Sequence, residues 1–182
     1  MTLHGPGTPA GLVRVEVDVR HQDILLAEAD AIGCLLTPRL EPDDEPSRKL
    51  FAAAGQTLRE DIRWALTRRG RLGLEPGEAL TLAVRSEYPV GRVGFLILAA
   101  SAREREPEER EALVLAAFLR EALEWGFESL ALPVSDRGVE ESLAVAASLL
   151  ARTIGERRPL LKRVHFLSRD AALLDPARRG VA

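Results

Sequence analysis

A single cysteine, Cys34, occurs in 182 residues. An intramolecular disulfide is therefore excluded, and so is a zinc site built from several thiolates. Aromatic side chains are scarce, at 4%, so alanine and leucine must supply most of the apolar interior. No apolar run approaches the roughly 18 residues that a membrane helix needs. Basic residues are not in excess: 25 Lys and Arg stand against 28 Asp and Glu, a net charge of -3. That balance lacks the concentrated basic surface of a general nucleic-acid binder. Lysine is rare beside arginine, a bias that points to a GC-rich bacterial genome. His4, His21 and His165 are too scattered for a metal site, and no cofactor is expected. Residues 1–11 hold Gly, Pro and Thr instead of a basic patch followed by an apolar segment. They read as a flexible leader, not a signal peptide, and a cytoplasmic location follows by default.

What is present suits one globular domain, expected over residues 12–170, with a tail at 171–182. Val13, Val15, Val17 and Val19 alternate with polar residues, the period of a half-buried strand. The stretch from Ala31 to Leu36 is continuously apolar and predicts a strand covered on both faces, stopped by Thr37-Pro38. Glu41 to Pro46 is an acidic loop. From Ser47 to about Thr67, Leu50, Phe51, Ala54, Leu58, Ile62 and Ala65 or Leu66 form a helical stripe, interrupted at Gly55 by a kink or a break between two helices. Arg68-Arg-Gly-Arg71 stops that helix. Strands follow at Ala79–Val84 and Val93–Leu98. A helix from Pro107 to Gly126 comes next, its repeat carried by Leu113, Ala116, Ala117, Arg120 and Leu123. Ser129–Val134 is another strand, Ser135–Gly138 a loop, Glu140 to about Ile154 a helix, and Arg163–Leu167 the last strand. This order predicts an α/β fold, a three-layer α/β/α sandwich around a mixed sheet of about six strands.

Several motifs, in order, resemble the macro domain family, whose fold binds ADP-ribose. Gln22-Asp-Ile24 followed by Ala29-Asp-Ala-Ile32 is similar to that family's opening turn and strand. Ala52-Ala-Ala-Gly55 followed by Leu58 resembles its Ala-Ala-Gly helix, Pro76-Gly-Glu-Ala79 its turn into the third strand, and Gly126–Pro133 its penultimate strand. The resemblance implies a ligand set of Asp23 and Ile24 at the base, Asp23 accepting from the adenine amino group. It implies Thr37 at the end of the second strand, and the loop Ser135, Asp136, Arg137, Gly138 and Val139 at the phosphates. The chain also resembles the N-terminal domain of leucine aminopeptidases in Asp30-Ala-Ile, Gly77-Glu78 and the helix after Pro107. The peptidase half of those enzymes is absent, so peptidase activity is not implied.

The departures are specific. Where binding macro domains carry Asn-Ala-Ala-Asn, this chain has Cys34-Leu-Leu-Thr37, and Thr37 lacks an amide's paired donor and acceptor. Where they carry a glycine loop, it has Asp43-Asp-Glu45. Backbone N–H groups reach a diphosphate when no Cβ intervenes, whereas each of these carboxylates repels it by about 1 kcal/mol or more at close, partly shielded range. The same three acids read either as a divalent-cation cluster or as a solvated loop. Arg137 offers compensation, because a guanidinium forks onto phosphate. Asp23 also reads as an ordinary turn residue, Ser135 as a turn cap, and Cys34 as an inert core thiol. Trp64 and Trp125 read as packing rather than as ligand-stacking platforms. Three functions follow as expectations. The first is a module that takes ADP-ribose or a related nucleotide weakly, or not at all in the standard way. The second is a degenerate fold serving a structural role, with a homo-oligomer or another protein as partner and the cleft blocked by Leu35, Leu36 or the acidic loop. The third is an ADP-ribosyl hydrolase, disfavoured because the asparagine and glycine-loop residues are missing.

Overall fold

In the middle of the sequence lie two apolar runs with nothing polar to offer solvent, and their only stable place is the centre of a covered sheet. A computed structural model, which describes residues 2–4, 14–133, 148–149 and 160–168, puts them there. The elements are β1 (Thr2–His4), β2 (Arg14–His21), a 3-10 turn (Ile24–Leu26), β3 (Glu28–Leu36), α1 (Glu45–Arg68), β4 (Ala79–Ala83), β5 (Arg92–Ala100), α2 (Pro107–Trp125), β6 (Ser129–Pro133) and β7 (Arg163–Ser168). One seven-stranded sheet runs in the order β1-β2-β7-β6-β3-β5-β4. The inner pairs β2–β7, β7–β6, β6–β3 and β3–β5 are parallel, and both edge strands are antiparallel to their neighbours. The expected mixed sheet and its six strands are all found. The seventh, β1, comes from the stretch read as a leader: Thr2–His4 pairs with Arg14–Glu16.

Successive side chains of a strand point to opposite faces, and β3 and β5 use both. Ile32, Cys34, Leu36, Leu96, Leu98 and Ala100 pack on one side with the α1 stripe. Ala31, Ile97 and Ala99 pack on the other with Val114, Leu115 and Phe118 of α2. The stripe of α1 is as expected: Leu50, Phe51, Ala54, Leu58, Ile62 and Leu66 are buried, and the helix kinks at Gly55, whose φ of 65° and ψ of -144° are not helical. Its start differs. The helix begins at Glu45, and Asp44 is its N-cap, its carboxylate accepting from the Ser47 amide at 2.7 Å. Ser47 sits inside the first turn, buried, where its hydroxyl accepts from the Leu35 amide of β3 at 2.8 Å.

The face of α2 also differs from the expected repeat. Val114, Leu115, Ala117, Phe118, Leu119 and Ala122 are buried, whereas Leu113 and Ala116 are half-buried and Arg120 is exposed. The helix is covered over a wider arc than one stripe, and its Glu121 lies under β4, bonded to the Thr81 hydroxyl at 2.5 Å. Arg120 reaches across to the Gly77 carbonyl at 3.1 Å. Gly126 ends α2 in the left-handed conformation, φ 71°, as its position predicted. Of the expected helix from Glu140 to Ile154, only Ser148 and Leu149 are among the described residues, and both are helical. The tail from 171 onward lies outside them.

Register between β3 and β6 is fixed by a reciprocal pair. The Asp30 carboxylate accepts from the Glu128 and Ser129 amides at 2.7 and 2.9 Å, and the Ser129 hydroxyl accepts from the Asp30 amide at 2.9 Å. Replacing Asp30 with alanine leaves two backbone donors without their acceptor. The expected outcome is a loss of about 1–3 kcal/mol in denaturant unfolding, the usual cost of a broken hydrogen bond to a charged group, with an unchanged denaturant slope.

Candidate functional site at the C-terminal edge of the sheet

In parallel sheets ligands are taken at the carboxyl ends of the strands. β2 ends at His21, β3 at Leu36, β6 at Pro133 and β7 at Ser168. Asp23 and Thr37 therefore leave the same edge of the sheet. The residues expected at the phosphates, Ser135, Asp136, Arg137, Gly138 and Val139, lie outside the described residues.

Asp23 caps the 3-10 turn, its Oδ1 accepting from the Leu25 amide at 3.0 Å. Its Oδ2 is paired with Lys49 of α1. The carboxylate is thus both a turn residue and half of a partly buried ion pair. Ile24 is buried against the α1 side of the sheet and anchors the turn. The signal for the ion pair was faint in the sequence: Lys49 is one of only two lysines, and it lies 26 residues from its partner.

Thr37 closes a tight loop. Its amide donates to the Glu41 carbonyl at 2.7 Å, its carbonyl accepts from the Leu40 amide at 2.8 Å, and its hydroxyl accepts from the Glu41 amide at 3.2 Å. The chain then folds back along β3, with Pro42 bridged to Leu36 and the Asp43 amide donating to the Leu35 carbonyl at 2.9 Å. Thr37 is a strand-end residue with its polar atoms engaged locally.

The acidic loop, read as solvated, is exposed at Glu41 and Glu45 but tied down between them. The Asp43 side chain is only 5% exposed and is ion-paired with Arg103, on the loop after β5. Asp44 caps α1. Glu45 is the first residue of α1 and is exposed. Among the described residues no group of three or more His, Cys, Asp or Glu is arranged to hold a metal. Arg103 offsets part of the repulsion that the acids alone would present to an anion.

Cys34 and Leu36 are fully buried in the α1-side core, and Leu35 packs half-buried on the α2 side. Burial pushes the Cys34 thiol well above its usual range. The nearby Asp44 charge adds to this, and a hydrogen bond with Ser47 opposes it. The thiol is a core group with no nucleophilic character. The other sequence candidates are accounted for as structure. His165 is buried and bonded to Asp18 of β2 at 2.5 Å, directly across the β2–β7 register. Trp64 is exposed beneath Arg68, 4.8 Å from its ring centroid. Trp125 packs with Phe95 and Phe127 at the opposite end of the sheet from Thr37.

The class of protein this defines is a three-layer α/β/α sandwich whose polar loops gather at one sheet edge. No protein-family model matches the chain, and no curated protein matches its sequence. Solved structures do match. A mutant of the Oceanobacillus iheyensis macrodomain aligns with a TM-score of 0.64 at 22% identity, covering 88% of each chain. The macro domain of ganglioside-induced differentiation-associated protein 2 aligns at 0.68 and 19% identity, over 91% of this chain and 81% of that one. The Trypanosoma brucei macrodomain in complex with ADP-ribose aligns at 0.69 and 15% identity, over 98% and 75%. The chain has the macrodomain fold.

A thiol this deeply placed should be silent in the folded protein. At mildly alkaline pH a disulfide exchange reagent is expected to label Cys34 only at the rate of unfolding. Full, immediate labelling without denaturant would show that the end of β3 is open to solvent.

Proposed function

We propose that the chain is a macrodomain-type module that takes ADP-ribose or a related nucleotide weakly, with the base at the Asp23–Ile24 turn. The observation that carries this reading is the prebuilt turn at the C-terminal edge. The Leu25 amide holds the Asp23 carboxylate in place, and Ile24 fixes the turn to the core. Preorganisation of this kind lowers the cost of binding. Proteins of the same fold have been captured with ADP-ribose and with ADP. The adenine amino group must compete with Lys49 for Asp23. A charged partner is the stronger one, and that competition is the reason for weak affinity. On the phosphate side, Arg137 and the backbone of Ser135 to Val139 would supply donors against the unfavourable field of Asp43, Asp44 and Glu45.

A second reading is supported by the packing at the end of β3. Leu36 is fully buried, and the acidic loop is tied down by Arg103 and by the start of α1. A fold whose cleft has closed would serve a structural or protein-interaction role, with a second copy or another protein as partner. Hydrolysis has no comparable support, since Thr37 offers no amide and its hydroxyl accepts from the Glu41 amide.

Calorimetric titration separates these readings. Wild-type protein is expected to bind ADP-ribose more tightly than AMP. Asp23→Ala is expected to weaken ADP-ribose by about 1–3 kcal/mol, the usual loss for a hydrogen bond to a charged group. Equal affinity in Asp23→Ala would remove the base from this turn. Absence of heat with both nucleotides would favour the structural role.

A further inference from the structure

We infer a second anion site, built by the loop after β3 and the middle of α1, that takes a phosphoryl group of a small molecule. A concavity of about 280 Å³ is lined by Arg39, Leu40, Glu41, Arg59, Ile62 and Arg63. It shares no lining residue with the Asp23 turn or with Thr37. Three arginines and one glutamate line it, so positive charge is in excess. Glu41 accepts from Arg59 at 3.2 Å, and no other acid lines the pocket. Arg63 donates to the Arg59 carbonyl at 3.3 Å. Arg39 makes no hydrogen bond or ion pair among the described residues.

Two features show that this arrangement costs the free protein something. Arg59 and Arg63 are four residues apart on one helix, where like charges disfavour the helix. Leu40 has φ 67°, and it is the one non-glycine residue with positive φ among those described. A branched side chain rarely adopts that conformation. Here it is held by the three hydrogen bonds between Thr37 and residues 40 and 41. The strained residue is the one that sets Arg39 and Glu41 on the pocket wall. Strain held in place by its surroundings is found where a loop clamps a ligand. A dianion would relieve the repulsion between the arginines, and guanidinium forks match phosphate oxygens. Ile62, the buried apolar residue of the lining, is fixed in the core under α1. Glu41 is 64% exposed on its side chain and is free to swing toward solvent when the anion enters.

The test is nuclear magnetic resonance on the full chain labelled with 15N, titrated with inorganic pyrophosphate. Saturable shifts are expected in the Arg39, Arg59 and Arg63 Nε–Hε signals and in the Leu40 amide. The double variant Arg39→Gln, Arg63→Gln is expected to lose about ten-fold or more in affinity, as for charge-assisted contacts removed in pairs. Both residues are exposed, so its backbone spectrum should remain native. Asp23→Ala should bind pyrophosphate like wild type, which separates this site from the nucleotide turn. No saturable shift at the three arginines, or unchanged affinity in the double variant, overturns the proposal.

Discussion

Everything in this chain depends on burying both faces of β3 and β5. Their residues alternate between two cores, Ile32, Cys34 and Leu36 toward α1, Ala31 and Leu35 toward α2. A parallel pair with no solvent face demands helices on both sides, and α1 and α2 supply them. Even Gly33 obeys this constraint. A Cβ there would lie 2.5 Å from Leu132 and 3.0 Å from the Phe118 ring, so α2 packs directly onto the strand backbone. The same constraint reaches the end of β3. A polar amide in place of Cys34 would be buried in an apolar cluster and would need partners there. At this end of the strand Cys34 and Leu36 belong to the core.

Polar groups at the edge are used largely on one another. Asp23 holds the 3-10 turn and Lys49, Asp43 holds Arg103, Asp44 holds the start of α1, and Thr37 holds its own loop. Each contact fixes a loop that would otherwise be free, and each reduces what the loop can offer a ligand. Under the proposed function, a nucleotide arriving here would meet a preformed turn whose carboxylate is already engaged. Preorganisation and competition act in opposite directions on the same residue, and the expected result is weak, selective binding. Arg39, further along the loop after β3, has no such partner among the described residues.

Local pattern made much of this legible in the sequence. The alternation of Val15 and Val17, the α1 stripe, the Gly55 kink and the Gly126 stop all follow from short-range periodicity and backbone preference, and all are present. The α2 face was displaced because a helix covered over a wide arc has no single stripe to read. α1 starts two residues before the stretch read as helical, and Ser47 lies inside its first turn, bonded to β3. Contacts between distant residues left no trace. Arg103 meets Asp43 across 60 positions, and His165 meets Asp18 across 147. Nothing in the spacing of the acidic loop indicates that Asp43 is neutralised from another element. The edge network was therefore the least readable part of the candidate site.

The central claim is that the Asp23–Ile24 turn still reads a nucleotide despite Lys49. The most direct test is the amide spectrum of the 15N-labelled chain titrated with ADP-ribose. Saturable shifts centred on Asp23, Ile24 and Leu25 are expected, with smaller ones at Lys49. Saturable shifts confined to other parts of the chain, or none at all, would contradict it.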